Sequence, residues 1–144
     1  MRDTLTSVIL SIKPIYSQAI MSGSKKVEFR KKTFKRQVDK IFVYSSSPEK
    51  KIIGFFTIEE IIENSPEKLW KEFKDVGGID KKSFFEYYEN SETGFCIKIS
   101  EAKKFEKGIE PSDFFENFNA PQSFIYLEEE TAQNMEEKTV ANKV

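Results

Sequence analysis

Three side chains near the start of the sequence could do chemistry at their spacing: Lys25, Glu28 and Arg30, in the run Ser22-Gly-Ser-Lys-Lys-Val-Glu-Phe-Arg30. A lysine and an arginine can hold a phosphate, the arginine through a planar two-pronged fork. A glutamate beside them does not favour phosphate. It accepts hydrogen bonds from a base amino group or a ribose hydroxyl, so it adds selectivity rather than attraction. From Lys26 the run alternates, with Val27 and Phe29 on one side and Lys26, Glu28 and Arg30 on the other, which predicts a strand with one apolar and one charged face. Glu28 and Arg30 would stand about 7 Å apart at their Cα atoms. Gly23 permits the tight turn that leads into this strand. The structural alternative is a Lys–Glu–Arg salt-bridge network on an exposed strand face, which contributes little to stability.

Other candidates sit at turns. Lys13-Pro14 and Ser45-Ser46 fall at strand ends, where backbone N–H groups and hydroxyls can bind an anion; alternatively Pro14 and Ser47-Pro48 only set turns. Gln122 and Ser123 offer an amide and a hydroxyl, or cap the last strand. Trp70, Phe84, Phe85, Tyr87 and Tyr88 could stack bases, but aromatics at helical spacing are more often core that pins helices down. The single cysteine, Cys96, reads as a plain structural thiol. The chain has no histidine, which removes the commonest general base and the usual partner of a serine or cysteine nucleophile. With one cysteine and no histidine, an ordinary zinc site is not available either, and no metal or cofactor is expected. Any catalysis would fall to Lys, Glu, Asp, Tyr, Ser or Thr. A carboxylate beside two cations is a poor base, which weighs against Glu28 in that role.

The net charge of −1 conceals a separation. Residues 13–51 hold eleven Lys and Arg against three acids, a local charge of +8; residues 52–127 carry −6 and residues 128–144 carry −3. A basic segment in a near-neutral protein gives a directional field that attracts a polyanion; the plain alternative is a solvated, lysine-rich surface. The length of 144 residues suits one domain. No apolar run approaches the roughly 18 residues of a membrane span, and no secretory leader is visible. A cytoplasmic protein without membrane partners is the expectation.

These residues need elements to position them. Val8–Ile12 reads as a buried strand ending at Lys13-Pro14, and Pro14 opens a short amphipathic helix that stops at Gly23. The basic strand covers about 26–31. Val38–Tyr44 predicts a strand buried on both faces. Ile52–Glu63 predicts a long strand with a bulge or bend at Gly54, a helix over 57–63 being the competing reading. Ser65 and Asp80 cap two helices, the first ended by Gly77-Gly78. Strands follow at Gly94–Ile99, at Lys103–Ile109 and at Ala120–Leu127, with a short helix or loop at Asp113–Phe118. The chain from Glu128 is acidic and poor in aromatics, and reads as a disordered tail over 128–144 behind a domain of residues 1–127.

Several blocks in order carry a family resemblance: Leu10-Ser-Ile-Lys-Pro with Tyr16, Ile20 through Arg30, Val43-Tyr-Ser-Ser-Ser-Pro48 before Ile53-Gly54, Ser65-Pro66 with Leu69-Trp70, and Ala120-Pro-Gln-Ser123. The chain resembles the ASCH (activating signal cointegrator homology) domain, of the PUA-like superfamily, from about Val8 to Leu127. The resemblance implies an α+β fold: a PUA-like small mixed β-barrel with inserted helices and a cleft between them. It implies RNA or a nucleotide as ligand in that cleft. Some small members resemble enzymes, an N4-acetylcytidine amidohydrolase and a ribonuclease. The amidohydrolase pattern Gly-x-Lys-x-x-Thr-x-Arg reads here Gly23-Ser-Lys25-Lys-Val-Glu28-Phe-Arg30, with Glu28 in place of the threonine. The hydroxyl nucleophile is gone, so that activity does not carry over.

The expectation is therefore an RNA- or nucleotide-binding module whose ligand contacts are Lys13, Pro14, Lys25, Glu28, Arg30, Ser45, Ser46, Gln122 and Ser123. One alternative is a small enzyme acting on a modified nucleoside or RNA, with Lys25 or Glu28 as acid or base. Another is a protein-interaction module using the acidic 128–144 segment. Oligomeric state is not legible.

Overall fold

A computed structural model describes residues 6–121 and 124–141. Six strands and four helices follow in the order β1 (Thr6–Ile12), α1 (Pro14–Ser22), β2 (Val27–Arg30), β3 (Val38–Ser45), β4 (Lys51–Asn64), α2 (Pro66–Phe73), α3 (Lys81–Tyr87), β5 (Gly94–Ile109), β6 (Phe124–Leu127) and α4 (Glu129–Ala141). The strands form one mixed sheet in the order β2-β5-β4-β3-β1-β6. β1 and β3 run parallel, with Ile12 opposite Ser45, and the other pairings are antiparallel. Among the described residues β2 and β6 stand at opposite edges with no pairing between them. The expected barrel is thus a barrel-like open sheet.

Period-2 alternation sends the central strands' side chains into two separate cores. Val8, Leu10, Ile12, Ile41, Val43 and Phe56 face α1, which adds Ile20. Ile9, Phe42, Tyr44, Ile52, Phe55 and Phe105 face the other way. β3 is therefore buried on both faces, as its unbroken apolar run predicts. A third cluster packs α2 and α3 over β2 and the start of β5, through Val27, Phe29, Leu69, Phe73, Phe84, Tyr88 and Cys96. The residues read from sequence as pinning aromatics, Trp70 and the Phe84–Tyr88 group, belong to it, with Trp70 and Phe84 rings 5.2 Å apart.

Local signals act where expected. Ser65 Oγ accepts the N–H of Lys68, Asp80 accepts the N–H of Ser83, and Pro14 and Pro66 open their helices. The 57–63 stretch is strand, not helix, and β4 slips register around Gly54. At Gly54 a Cβ would strike the Lys103 carbonyl oxygen and approach Met21 Sδ to 2.6 Å, so glycine lets β5 and α1 close over β4.

Three expectations are corrected. The two strands predicted at 94–99 and 103–109 are one strand, β5, paired with β4 along both its halves. Ala120 and Pro121, expected in the last strand, lie outside β6, while 113–118 is turn and loop behind a 3-10 turn at Pro111–Asp113, within the short helix or loop expected there. Within the segment expected as a disordered tail, residues 129–141 form α4, which buries Ala132 and Met135 against the second core, and Lys40 Nζ meets Glu136 at 2.6 Å. Two apolar anchors on one helical face suffice to dock an otherwise acidic segment.

Candidate functional site

The geometry of the site starts with α1. Gly23 ends the helix at φ 89°, with its N–H on the Ile20 carbonyl. This left-handed turn folds the chain back, so that the N–H of Lys25 reaches the Ala19 carbonyl at 3.0 Å. The next residue, Lys26, donates its N–H to the Val76 carbonyl and accepts the N–H of Ile99, tying the start of β2 to the loop after α2 and to β5. Lys25 is thereby turned inward between α1 and residues 76–78.

Its side chain is 3% exposed. The ammonium donates to the Gly77 carbonyl, lies 3.8 Å from Glu28 Oε1, and sits 5.3 and 5.2 Å from the ring centres of Tyr16 and Phe29. Glu28 is buried too, and its other oxygen, Oε2, accepts from Arg30 Nη1 at 3.3 Å. The strand alternation predicted from sequence holds here: Phe29 packs in the third core against Phe84, while Glu28 and Arg30 share the opposite side. Lys25, Glu28 and Arg30 thus form one connected network, two cations about one carboxylate. The salt-bridge network of the structural alternative is thus present, but buried instead of on an exposed strand face. The side chain of Arg30 remains 16% exposed, against 3% for Lys25 and 8% for Glu28, and forms the outer end.

Burial dominates the electrostatics. It lowers the pKa of Lys25, and the negative charge of Glu28 opposes that shift. Burial also raises the phenols of Tyr87 and Tyr88, and pushes the Cys96 thiol up to about 12, which leaves it protonated and inert at neutral pH. Tyr88 donates to the Arg30 carbonyl at 3.0 Å and to that of Phe95 at 3.4 Å, fixing the backbone on either side of the β2–β5 pair.

The other predicted contacts are placed differently. Lys13 and Pro14 lie beside Ser45 and Ser46, because the parallel β1–β3 pair ends both strands at the same level. Lys13 is exposed, and its carbonyl starts α1. Ser45 is fully buried, with its hydroxyl 2.7 Å from that of Ser17, and the N–H of Ser46 donates to the Ile12 carbonyl. The Ser45 hydroxyl and the Ser46 N–H are engaged within the fold. Gln122 and Ser123 lie outside the described residues. Sequence reasoning did not place in the site Tyr16, whose ring supports Lys25, or Gly77, whose carbonyl accepts a hydrogen bond from its ammonium. Tyr16 lies in the first turn of α1, two residues after Pro14, with its ring 5.3 Å from the Lys25 ammonium. Gly77-Gly78 is legible in the sequence only as a helix stop, and nothing local marks its carbonyl as the partner of a lysine 52 residues away. Among the described residues no cluster of three or more His, Cys, Asp or Glu could hold a metal ion, and no helix is long and apolar enough to cross a membrane.

Comparison with known proteins bears on this arrangement. The model of the ASCH domain family matches residues 10–140. An ASCH domain-containing ribonuclease of Zymomonas mobilis is 27% identical over 130 residues, 88% of each chain. The crystal structure of ASCH from Zymomonas mobilis superposes with a TM-score of 0.85 at 25% identity, covering 91% of this chain and 94% of that one. The N-terminal domain of Staphylothermus marinus McrB shares the fold alone, with a TM-score of 0.62 at 14% identity over 96% of this chain and 98% of that one.

Proposed function

This chain belongs to the ASCH domain family, and from that premise we propose that it binds RNA, taking a nucleotide at the junction of α1, β2 and the 76–78 loop. The observation that carries the reading is the single network of Lys25, Glu28 and Arg30, which holds two positive charges about one negative charge in a setting that excludes most water. Arg30 at the outer end is the group to meet a phosphate, because its guanidinium is the most exposed of the three charged groups and has the planar fork that suits one. Glu28 orients Arg30 and offers acceptor capacity to a base or ribose hydroxyl. Lys25 stands behind both and balances the buried carboxylate. The name of the Zymomonas relative, a ribonuclease, supports RNA as the ligand class.

A titration of the purified chain with short labelled RNA tests this. Arg30→Ala should weaken binding by roughly tenfold or more, the loss of a charge-assisted contact of about 1.5–3 kcal/mol, while leaving the thermal unfolding transition in place. Binding that is unchanged in this variant would remove Arg30 from the site.

A second reading, cleavage of RNA, has one observation in its favour beside the relative's name: burial lowers the pKa of Lys25 towards the range a general base requires. Incubating labelled RNA with the parent chain and with Lys25→Met, and separating the products by electrophoresis, decides it. Fragments from the parent that vanish in the variant support cleavage by Lys25. Intact RNA at high protein concentration leaves binding as the function.

A further inference from the structure

We propose that the connection between β2 and β3, residues 31–37, is a track for the backbone of single-stranded RNA running outward from Arg30. The proposal rests on the RNA-binding reading and adds the length and strandedness of the ligand. No acid occurs between Glu28 and Asp39. Lys31, Lys32, Lys35 and Arg36 are all exposed, and among the described residues none of the four has a carboxylate at ion-pair distance. Lys40, Lys51 and Lys98, by contrast, are each held by glutamate.

These cations are also held in place by the fold. At the near end, the N–H of Lys31 donates to the Tyr87 hydroxyl at 3.1 Å, and the Lys31 ammonium lies 4.8 Å over the same ring. At the far end, the N–H groups of Lys35 and Arg36 both donate to the Tyr126 hydroxyl, at 3.0 and 3.4 Å, and the Arg36 guanidinium stacks 4.4 Å from that ring's centre. Between them Phe34 is anchored edge-on to Phe124, with centroids 4.8 Å apart. A ribbon fixed at both ends and in the middle loses little freedom when a ligand docks, so its charges act at full effect. Six residues span at most about 20 Å, enough for a few nucleotides.

Single-stranded RNA follows from the depth of the neighbouring network. With Glu28 only 8% and Arg30 only 16% exposed at their side chains, a base held in a duplex stack cannot reach them, and an unstacked nucleotide can. One nucleotide then enters beside Arg30, and the following phosphates lie along Lys31 to Arg36.

The test is fluorescence anisotropy on the full chain with a labelled uridine dinucleotide and an oligouridine of about eight nucleotides, between about 50 and 200 mM salt. The longer strand should bind at least roughly tenfold more tightly, with the steeper salt dependence. Lys32→Gln with Lys35→Gln should collapse that difference and reduce the slope of log K against log salt by about 1.4, two phosphates at roughly 0.7 each. Both side chains are exposed and neither forms an ion pair with a described residue, and circular dichroism checks that the double variant is folded. Equal affinity and equal slope for the two ligands would overturn the track and leave the Arg30 site standing. A length effect that persists with Arg30→Ala unchanged on the dinucleotide would instead remove the Arg30 site. A double variant with undiminished slope also overturns the track.

Discussion

Lys25 owes its state to two neighbours of opposite kind: burial, which favours the neutral amine, and Glu28, which favours the ammonium. Glu28→Gln removes the only negative charge paired with Lys25 among the described residues, and should cost about 3 kcal/mol, the scale for removing one member of a buried ion pair. Urea unfolding at neutral pH checks the magnitude. The pH dependence has a definite sign. With its folded pKa below the ordinary 10.5, Lys25 releases its proton in the folded protein before it does in the unfolded chain. The unfolded state then binds more protons, so stability rises with pH from the folded pKa up to about 10.5. Lys25→Met should flatten that rise, read from unfolding curves across alkaline pH, and a variant with the parent's pH profile would assign the rise to other groups. Lys25, Glu28 and Arg30 were legible as a set because strand alternation and one glycine are local signals. The burial of Lys25 was not, because the loop over it arrives 52 residues later and only the tertiary fold brings them together.

Among the elements, those with chemical punctuation could be read directly: α1 from Pro14 and Gly23, α2 from Ser65-Pro66, α3 from Asp80. β5 was split in reading because its middle, around Ser100–Lys104, is mostly exposed and polar, which interrupts the apolar alternation. Its pairing to β4 continues there through backbone groups, with Ala102 opposite Phe56 and Lys103 opposite Phe55. α4 escaped notice for a related reason: its affinity for the domain rests on Ala132 and Met135, too few apolar residues to stand out in an acidic run. Met135 is fully buried, so Met135→Ala should destabilise the whole domain by about 2–5 kcal/mol. A thermal melt shows it as a lowered midpoint; an unshifted midpoint would mean that α4 does not belong to the cooperative unit.

Across the molecule, charge is segregated along the chain, +8 over residues 13–51 against −9 over residues 52–144. Among the described residues the exposed 31–36 cations have no carboxylate at ion-pair distance, while Lys40, Lys51 and Lys98 do. Such a field acts at a distance before contact is made. The association rate with single-stranded RNA should fall steeply between about 50 and 200 mM salt, as screening shortens the reach of the field towards about 8 Å. Stopped-flow fluorescence measures this; an association rate indifferent to salt would mean that encounter is not steered.

The sheet's topology also constrains when the protein can form. β1 finds one neighbour in β3 and the other in β6, where Ser7 lies opposite Leu127, so an early strand waits for its outer partner until that distant segment has been made. Contacts of such long sequence separation slow folding. During synthesis, a nascent polypeptide lacking residues 124–135 would carry β1 as an unguarded edge, next to a phenylalanine-rich surface that α4 later covers. A chain cut before residue 124 should therefore yield sticky, aggregation-prone fragments instead of a slightly shortened domain.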